Sequence, residues 1–415
     1  MKMNHPCNHI IRGFRLACLF TGLLLSQVFL SPAQEFRSTP FPDRVTLTWS
    51  DDPATTQTVT WRTDPSVKEA KAQIKKEDAS PDMESGMREF SAAMRSFVGK
   101  EGHEDRYHHV TFTGLQPSTV YAYRVGSGDY WSEWFQFRTA DRANDTSGFS
   151  FIYLGDGQND LKSRWSRTIR QAFRQQPDAR FIIHAGDLIN RSNTDAEWGE
   201  WHYGAGFIHA MVPVVPTPGN HEYFRDESDH LVLDPHWAAQ FTLPKNGPAG
   251  LQESVYYVDY QNVRIIALNS QLIMLDEAAR TAQVDWFERL LKDNPQRWTI
   301  VTMHHPVYST SKRRDNAVLR ELFKPLFDRY SVDLVLQGHD HTYARGKGPD
   351  AVPNGPVYLL SVAGPKMYES DSERWMDVAY ENTQLYQTIH VTEHRLEFRA
   401  FDLSGKLVDS FEKVK

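Results

Sequence analysis

The strongest constraint on the fold is a set of five short polar clusters after residue 148, each directly following an apolar stretch typical of a buried strand. The clusters are Gly155-Asp156-Gly157-Gln158, Gly186-Asp187-Leu188-Ile189-Asn190, Gly219-Asn220-His221-Glu222, His304-His305-Pro306 and Gly338-His339-Asp340-His341. Helical patterns at 163–176, 195–210, 278–293 and 316–330 alternate with the strands, which predicts an α/β domain. Ligands of open α/β sheets bind beyond the carboxyl ends of strands, so we expect the clusters to share one cleft.

The side chains of these clusters indicate a metal site. Carboxylate, amide and imidazole groups together suit borderline-to-hard divalent or trivalent ions. Any single cluster also fits ordinary turn chemistry or a buried histidine, but five of them in strand-end positions favour a metal centre. Cys7 and Cys18 are the only cysteines, so a disulfide scaffold or a cysteine-ligated zinc site is excluded.

The ordered motifs resemble those of a known superfamily. Gly-Asp, Gly-Asp-x-x, Gly-Asn-His-Glu, Val-x-x-His (Val301 to His304) and Gly-His-x-His stand in the order found in calcineurin-like metallophosphoesterases, and within them in purple acid phosphatases and their bacterial relatives. The resemblance implies a layered α/β/β/α catalytic domain. It also implies hydrolysis of small phosphomonoesters by in-line attack of a hydroxide that two metal ions activate, the ions being Fe, Zn or Mn.

The resemblance also implies a ligand set, which is Asp156, Asp187, Asn220, His304, His339 and His341. By position, Asp187 would bridge both ions, Asp156 and His341 would hold the first ion, and the other three would hold the second. His221 would lie just outside the ligands and act on the substrate, so His221 and Asp187 are the predicted catalytic residues.

Two positions depart from the family pattern at the first ion. Asn190 stands where purple enzymes have a tyrosine, and Gln158 stands where other members have a histidine. Either amide oxygen could coordinate, water could fill the gap, or both amides could only form hydrogen bonds. A ferric ion with a tyrosinate ligand is therefore not expected.

A basic segment follows the His304 cluster. Arg313 and Arg314 stand where some family members carry a histidine pair that contacts phosphate, and arginine matches phosphate oxygens in bidentate fashion. These two residues are predicted to bind substrate, together with His221. The alternative is a solvated basic loop before the helix that starts near residue 316.

The N-terminal part has a different pattern. Residues 34–140 contain alternating β-branched and aromatic stretches, which predict an all-β sandwich. The segment from Leu115 to Tyr121 resembles the tyrosine corner of fibronectin type III-like domains. Residues 79–95 could be a loop or a short helix. A polar linker at 141–148 separates this domain from the catalytic domain at 149–415.

Residues 1–33 have the layout of a secretory signal: Arg12 and Arg15, then the apolar run 16–30, then Ser31-Pro32-Ala33. Cleavage after Ala33 would export the chain to the periplasm or outside, without a membrane anchor. The formal net charge of −7 gives no reason to expect a nucleic-acid partner. The oligomeric state remains open.

Two other functions are compatible with these motifs. A phosphodiesterase of the same fold would use the same ligands. A non-catalytic surface protein that binds phosphate or carbohydrate would be expected to have lost some of its metal ligands. All six expected ligands are present here.

Overall fold

The computed structural model describes residues 35–142, 147–371 and 373–415, so the predicted signal segment lies outside the described residues. The N-terminal part is all-β. Its strands are β1 Asp43–Thr48, β2 Gln57–Thr63, β3 Lys71–Lys76, β4 Arg88–Ser91, β5 Ala93–Val98, β6 Glu104–Phe112, β7 Val120–Ser127, β8 Tyr130–Trp131 and β9 Phe135–Arg138.

These strands form two antiparallel sheets, β1-β2-β6-β5 and β4-β3-β7-β8, with β9 paired to β7. Val59 and Trp61 of one sheet and Ile74 and Tyr123 of the other share one buried core, which confirms the predicted β-sandwich. Within the segment 79–95, where a loop or short helix was expected, residues 88–91 and 93–95 are in strands, because β4 and β5 pair with their neighbours β3 and β6. The Tyr121 hydroxyl accepts the backbone N–H of Gln116 at 2.8 Å, as a tyrosine corner requires.

The catalytic part begins with β10. Its strands are β10 Phe149–Leu154, β11 Ile182–His184, β12 Val214–Pro216, β13 Tyr223–Arg225, β14 Leu231–Leu233, β15 Tyr256–Tyr260, β16 Val263–Ala267, β17 Trp298–Thr302, β18 Leu334–Gln337, β19 Tyr343–Gly346, β20 Val357–Leu360, β21 Met376–Tyr380, β22 Leu385–Val391, β23 Arg395–Asp402 and β24 Leu407–Val414. One mixed sheet has the order β12-β11-β10-β22-β23-β24, and the second has β15-β16-β17-β18-β20-β19-β21.

The helices lie between these strands. They are α1 Ser166–Gln175, preceded by a π-helical turn at Leu161–Trp165, α2 Asp195–Ala205, α3 Ile208–Met211, α4 Pro235–Gln240, α5 Ser270–Leu275, α6 Glu277–Lys292 and α7 Ala317–Arg329. The helix expected over 195–210 is two helices, because Gly206 adopts a φ of 58° and ends α2. None of the helices described is both long and apolar enough to cross a membrane.

The two catalytic sheets pack face to face. Ile300 and Leu334 of the second sheet belong to the same buried core as Ile152 and Ile183 of the first. The residues that follow them on the opposite face, such as Val301, pack instead with the phenylalanines of α6 and α7. Alternation along a strand thus places one face between the sheets and the other under helices, which confirms the α/β/β/α layers.

Both sheets of the sandwich contact the C-terminal domain. Strand β2 is buried along its whole length because its polar face covers the catalytic domain. Thr60 on that face lies 3.3 Å from the Thr242 hydroxyl, and Thr48 donates to the Thr242 carbonyl at 2.7 Å. Tyr123 adds a hydrogen bond to the Ala210 carbonyl at 2.6 Å.

Candidate metal centre

Every predicted ligand lies just beyond the carboxyl end of a parallel strand. Asp156 follows β10, Asp187 follows β11, and Asn220 opens a 3₁₀ turn after β12, all in the first sheet. His304 follows β17, and the His339–His341 segment follows β18, in the second sheet. The two sheets therefore bring all six residues together at one edge, as the strand-end pattern predicts.

Four of these six residues have a left-handed backbone. The φ values of Asp156, Asp187, His339 and His341 are 42°, 50°, 75° and 50°. Such conformations cost non-glycine residues free energy and persist where surrounding contacts impose them, commonly at functional sites. The neighbouring glycines allow the close approach: a Cβ on Gly338 would lie 2.5 Å from Asp156 Oδ2.

Asn220, His304 and His339 form one group of ligand atoms. Their Oδ1, Nε2 and Nδ1 atoms lie 3.0–3.1 Å from one another. The other ring nitrogen of His304 lies 3.0 Å from the carbonyl of Ala185, so Nδ1 carries a proton and Nε2 faces the group. One amide oxygen and two imidazole nitrogens that converge in this way are the donor types that suit a divalent cation.

Asp156 and His341 form a second group of ligand atoms beside Asp187. Asp156 is buried and accepts the backbone N–H of His339 at 2.7 Å, while its Oδ1 lies 3.7 Å from His341 Nε2. His341 Nδ1 donates to the carbonyl of Lys366 at 2.8 Å, so Nε2 is the unprotonated nitrogen, and here it accepts the Gln158 amide at 2.7 Å. Burial raises the pKa of Asp156 well above its usual range and lowers the pKa of His341 to about 4.

Asp187 lies between the two groups. Its Oδ2 is 3.2 Å from His304 Nε2 and 3.1 Å from Gln158 Nε2. Burial alone would raise the pKa of Asp187, but the neighbouring His304 lowers it, and the same pair raises the pKa of His304 to about 9 against its own desolvation. Asp156, Asp187 and His304 each offer one ligand atom within 4.8 Å of the others, which fits a shared metal site.

Of the two amides left open by the sequence, Gln158 lies in the cluster. Its Nε2 is 2.7 Å from His341 Nε2 and 3.1 Å from Asp187 Oδ2. Its Nε2 donates to these two acceptors, while its Oε1 is buried without a hydrogen-bond partner among the described residues, and an orphaned buried oxygen of this kind would be satisfied by a cation. Asn190 contributes a backbone contact instead, through its carbonyl oxygen.

The Asn190 carbonyl orients the ring of His221. The His221 Nδ1 lies 2.5 Å from the Asn190 oxygen, so Nδ1 is the protonated nitrogen. Its Nε2 lies 3.9 Å from Asp187 Oδ2, and the side chain is 27 % exposed. The ring is therefore beside the ligand cluster and accessible from solvent.

Glu222 and Asp340, two acidic residues inside the motifs, hold the turns that carry the predicted ligands. Sequence reasoning gave neither residue a role. Glu222 is buried and accepts the backbone N–H groups of Gly219, Asp187 and Leu188 at 2.6–3.0 Å. It fixes the turn that carries the central carboxylate. Asp340 accepts hydrogen bonds from the Ser309 hydroxyl, the Thr310 backbone N–H and the Arg314 guanidinium.

The two arginines predicted to bind substrate differ in position. Arg314 Nη1 donates to Asp340 at 2.9 Å and to the carbonyl of His339 at 3.1 Å, so its guanidinium lies at the metal-ligand turn. Arg313 is exposed on the surface. Sequence reasoning missed Tyr368. Its ring packs at a tilt against His341 with a centroid distance of 4.5 Å, and the Arg314 guanidinium lies over the same ring, 5.2 Å from its centroid.

Known proteins share both parts of this architecture. The family model described as Purple acid Phosphatase, N-terminal domain, matches residues 42–139, and the model described as Calcineurin-like phosphoesterase matches residues 149–343. Acid phosphatase type 7 of Danio rerio is 27 % identical over 364 residues, covering 74 % of this chain and 77 % of the relative. Purple acid phosphatase 21 of Arabidopsis thaliana is 28 % identical over 265 residues, covering 61 % of this chain and only 57 % of the relative.

Solved structures show the same fold. Purple acid phosphatase PPD1 from seeds of yellow lupin (Lupinus luteus) has a TM-score of 0.75 at 18 % identity, covering 90 % of this chain and 74 % of the lupin chain. A structure of PhoD has a TM-score of 0.63 at 13 % identity, covering 91 % of this chain and 94 % of the other.

Fold and site together define a metal-dependent phosphatase that consists of a β-sandwich and a metallophosphoesterase domain. The chain belongs to the calcineurin-like phosphoesterases, in their purple acid phosphatase-like branch.

Proposed function

We propose that the chain is an exported phosphatase that hydrolyses small phosphomonoesters with two metal ions. The observation that carries this proposal is the position of Asp187, whose Oδ2 lies 3.2 Å from His304 Nε2 and whose ligand atom lies within 4.8 Å of those of both Asp156 and His304. A carboxylate in that position can bridge two cations about 3.5–4 Å apart, the separation used for in-line phosphoryl transfer.

The described residues suit one ion on each side of Asp187. Asp156 and His341 would hold the first ion, and Gln158 would join them with its amide turned so that Oε1 replaces Nε2 beside His341. Asn220, His304 and His339 would hold the second. When bound, the ions supply Lewis acidity towards the phosphoryl oxygens and an activated water as nucleophile.

We propose divalent ions at both positions. The first site offers the neutral amide of Gln158 where purple enzymes offer a charged tyrosinate, so it compensates less positive charge. Asn190, at the tyrosine position, has no phenolate to donate. Zinc, manganese or ferrous iron fits this donor set of carboxylate, imidazole and amide groups.

His221 is the proposed proton donor to the leaving oxygen. Its Nδ1–H is held by the Asn190 carbonyl, so a second proton would sit on Nε2, the nitrogen on the side of the ligand cluster. Arg314, held by Asp340 at the metal-ligand turn, is the proposed contact for substrate oxygens. The exposed Arg313 contributes positive charge to the same loop.

A panel of substrates and one variant test this proposal. The metal-loaded enzyme should hydrolyse phosphomonoesters faster than phosphodiesters such as bis(nitrophenyl) phosphate. General-acid help is worth about 10²–10⁴-fold and matters most for poor leaving groups, so His221→Ala should reduce hydrolysis of alkyl phosphates far more than of nitrophenyl phosphate. A preference for diesters would establish the phosphodiesterase alternative, and no turnover with bound metal would establish the binding protein.

Export rests on the layout of residues 1–33. Expression with a functional secretion pathway should yield a mature chain that begins at Gln34. N-terminal sequencing that finds residues 1–33 still attached would contradict it.

A further inference from the structure

The carbonyl that orients His221 is itself held by one carboxylate. The backbone N–H groups of Asn190 and Arg191 both donate to Glu197 Oε2 at 2.7 Å. The other oxygen, Oε1, accepts the side chain of Arg191 at 2.7 Å. The Asn190 carbonyl belongs to the same planar peptide unit as the Arg191 N–H. Because Glu197 holds that N–H and the N–H of Asn190, it fixes the direction in which the carbonyl points.

Glu197 lies in the first turn of α2, and the β-sandwich holds the start of that helix. Arg44 of β1 binds Asp195, the first residue of α2, through both carboxylate oxygens at 2.7 and 2.8 Å. Arg62 of β2 adds a contact to the same carboxylate at 3.1 Å. Both arginines are buried, so these contacts form away from bulk solvent at the domain junction.

A continuous set of contacts therefore runs from the sandwich to the reacting centre. It passes from Arg44 to Asp195, along the first turn of α2 to Glu197, and through the Asn190 peptide to His221. The earlier part of the same loop is held separately, since Glu222 binds the N–H groups of Asp187 and Leu188. Loss of Glu197 should therefore free the Asn190 carbonyl while the central carboxylate stays in place.

We propose that Glu197 is a positioning residue for His221, and that the sandwich supports catalysis by fixing the helix that carries Glu197. The catalytic consequence rests on the proposed function of His221 as proton donor. The structural consequence does not: with Glu197 intact, the His221 proton resides on Nδ1 and the ring keeps Nε2 towards the ligand cluster.

The first test reads the ring itself and needs no activity. Nitrogen NMR of ¹⁵N-histidine-labelled, zinc-loaded enzyme, with the signal assigned by its loss in His221→Ala, should show neutral His221 as one tautomer protonated at Nδ1. Glu197→Ala should give a mixture of tautomers. Glu197→Gln should restore the wild-type signal, because its amide oxygen can still accept both N–H groups.

The second test reads catalysis through the ratio of alkyl phosphate to nitrophenyl phosphate hydrolysis. Since small displacements of catalytic groups cost up to about 10²-fold, Glu197→Ala should lower this ratio roughly 10-fold with metal content unchanged. Arg44→Met should lower it in the same direction by a smaller factor. Two matched controls should leave the ratio unchanged: Arg191→Met, which removes only the exposed partner of Glu197, and Thr48→Val, which removes a junction hydrogen bond to the Thr242 carbonyl and no hydrogen bond to α2.

The outcomes separate the two proposals. A wild-type tautomer in Glu197→Ala would overturn the positioning role whatever the kinetics show. Equal losses on both substrates in Glu197→Ala, but unequal losses in His221→Ala, would also overturn it while the role of His221 stands. If His221→Ala itself affects both substrates equally, the proton-donor role fails and the catalytic part of this inference fails with it.

Discussion

The ion pair between Arg44 and Asp195 should make a large contribution to the stability of the domain junction. Arg44 is 8 % exposed and donates both to the carboxylate of Asp195 and to the hydroxyl of Tyr107. Arg44→Met keeps most of the aliphatic volume but removes every donor. Breaking a buried ion pair costs about 3–5 kcal/mol because a charge remains without its partner.

The lower end of that range applies to this pair. After the substitution, Asp195 retains Arg62 at 3.1 Å and the Nε2 of His236 at 3.4 Å, so its charge is still partly compensated. We therefore expect Arg44→Met to lower the free energy of unfolding by about 3 kcal/mol.

Urea unfolding at pH 6, followed by both tryptophan fluorescence and circular dichroism, measures this change. Arg95→Met is the matched control, because exposed Arg95 also crosses the junction, to the carbonyl of Ala238 at 2.7 Å. An exposed hydrogen bond of this kind should cost under about 1 kcal/mol. A loss below 1 kcal/mol in Arg44→Met, or one equal to that of the control, would refute the reasoning.

Four further predictions follow from named contacts. Tyr121→Phe removes the hydroxyl that accepts a backbone N–H, so it should lower the free energy of unfolding by about 1–3 kcal/mol, and an unchanged urea midpoint would contradict the corner contact. Burial alone would lower the pKa of His236, but hydrogen bonds to Asp195 and Asp234 raise it above 6.5. Its stabilisation is therefore full below pH 6.5 and is lost as the pH rises through the raised value. The difference in urea midpoint between wild type and His236→Gln should shrink from pH 6 to pH 9. A difference that grows over this range would contradict a raised pKa of His236. Asp187→Asn should abolish phosphatase turnover while circular dichroism stays native, and retention of more than a few per cent of activity would show that Asp187 does not bridge. The enzyme should be colourless as isolated, since Asn190 offers no phenolate for a charge-transfer band, and a visible band that survives Asn190→Ala would refute this assignment.

The α/β class of the C-terminal domain and the convergence of the five clusters were accessible from local sequence patterns, whereas the layer order and the ligand set came from the family resemblance. Each motif stands at the end of an apolar strand, and parallel strands in two packed sheets bring their carboxyl ends to one edge. Short side chains such as Asp156 and Asn220 can then reach only a small volume. Their convergence needs no information beyond the order of strands.

Contacts between distant segments were not accessible in the same way. Alternation in β2 predicts a polar face in solvent, yet Thr60 and Arg62 on that face are buried against the catalytic domain. Tyr368 packs against His341 from 27 positions further along the chain, in a segment without regular secondary structure, and no periodic pattern marks it. Glu197 looks like an ordinary acidic residue in the first turn of a helix, and only the fold reveals that it holds Asn190.

Sequence patterns also do not show whether Gln158 or Asn190 replaces the customary ligand of the first ion. Sequence alone gave Gln158 and Asn190 equal standing, because both replace a customary ligand. The fold separates them: the Gln158 amide lies among the ligand atoms, whereas Asn190 uses its backbone. The chemistry of a position therefore depends on side-chain direction, which strand order does not determine.

The central claim, a phosphatase with two ions around Asp187, is tested most directly by titrating metal-stripped enzyme with zinc or manganese while hydrolysis of a phosphomonoester is measured. The account predicts no turnover without metal and an increase in activity that reaches its plateau at two equivalents per chain. A plateau at one equivalent, or no hydrolysis at any ratio, would contradict it.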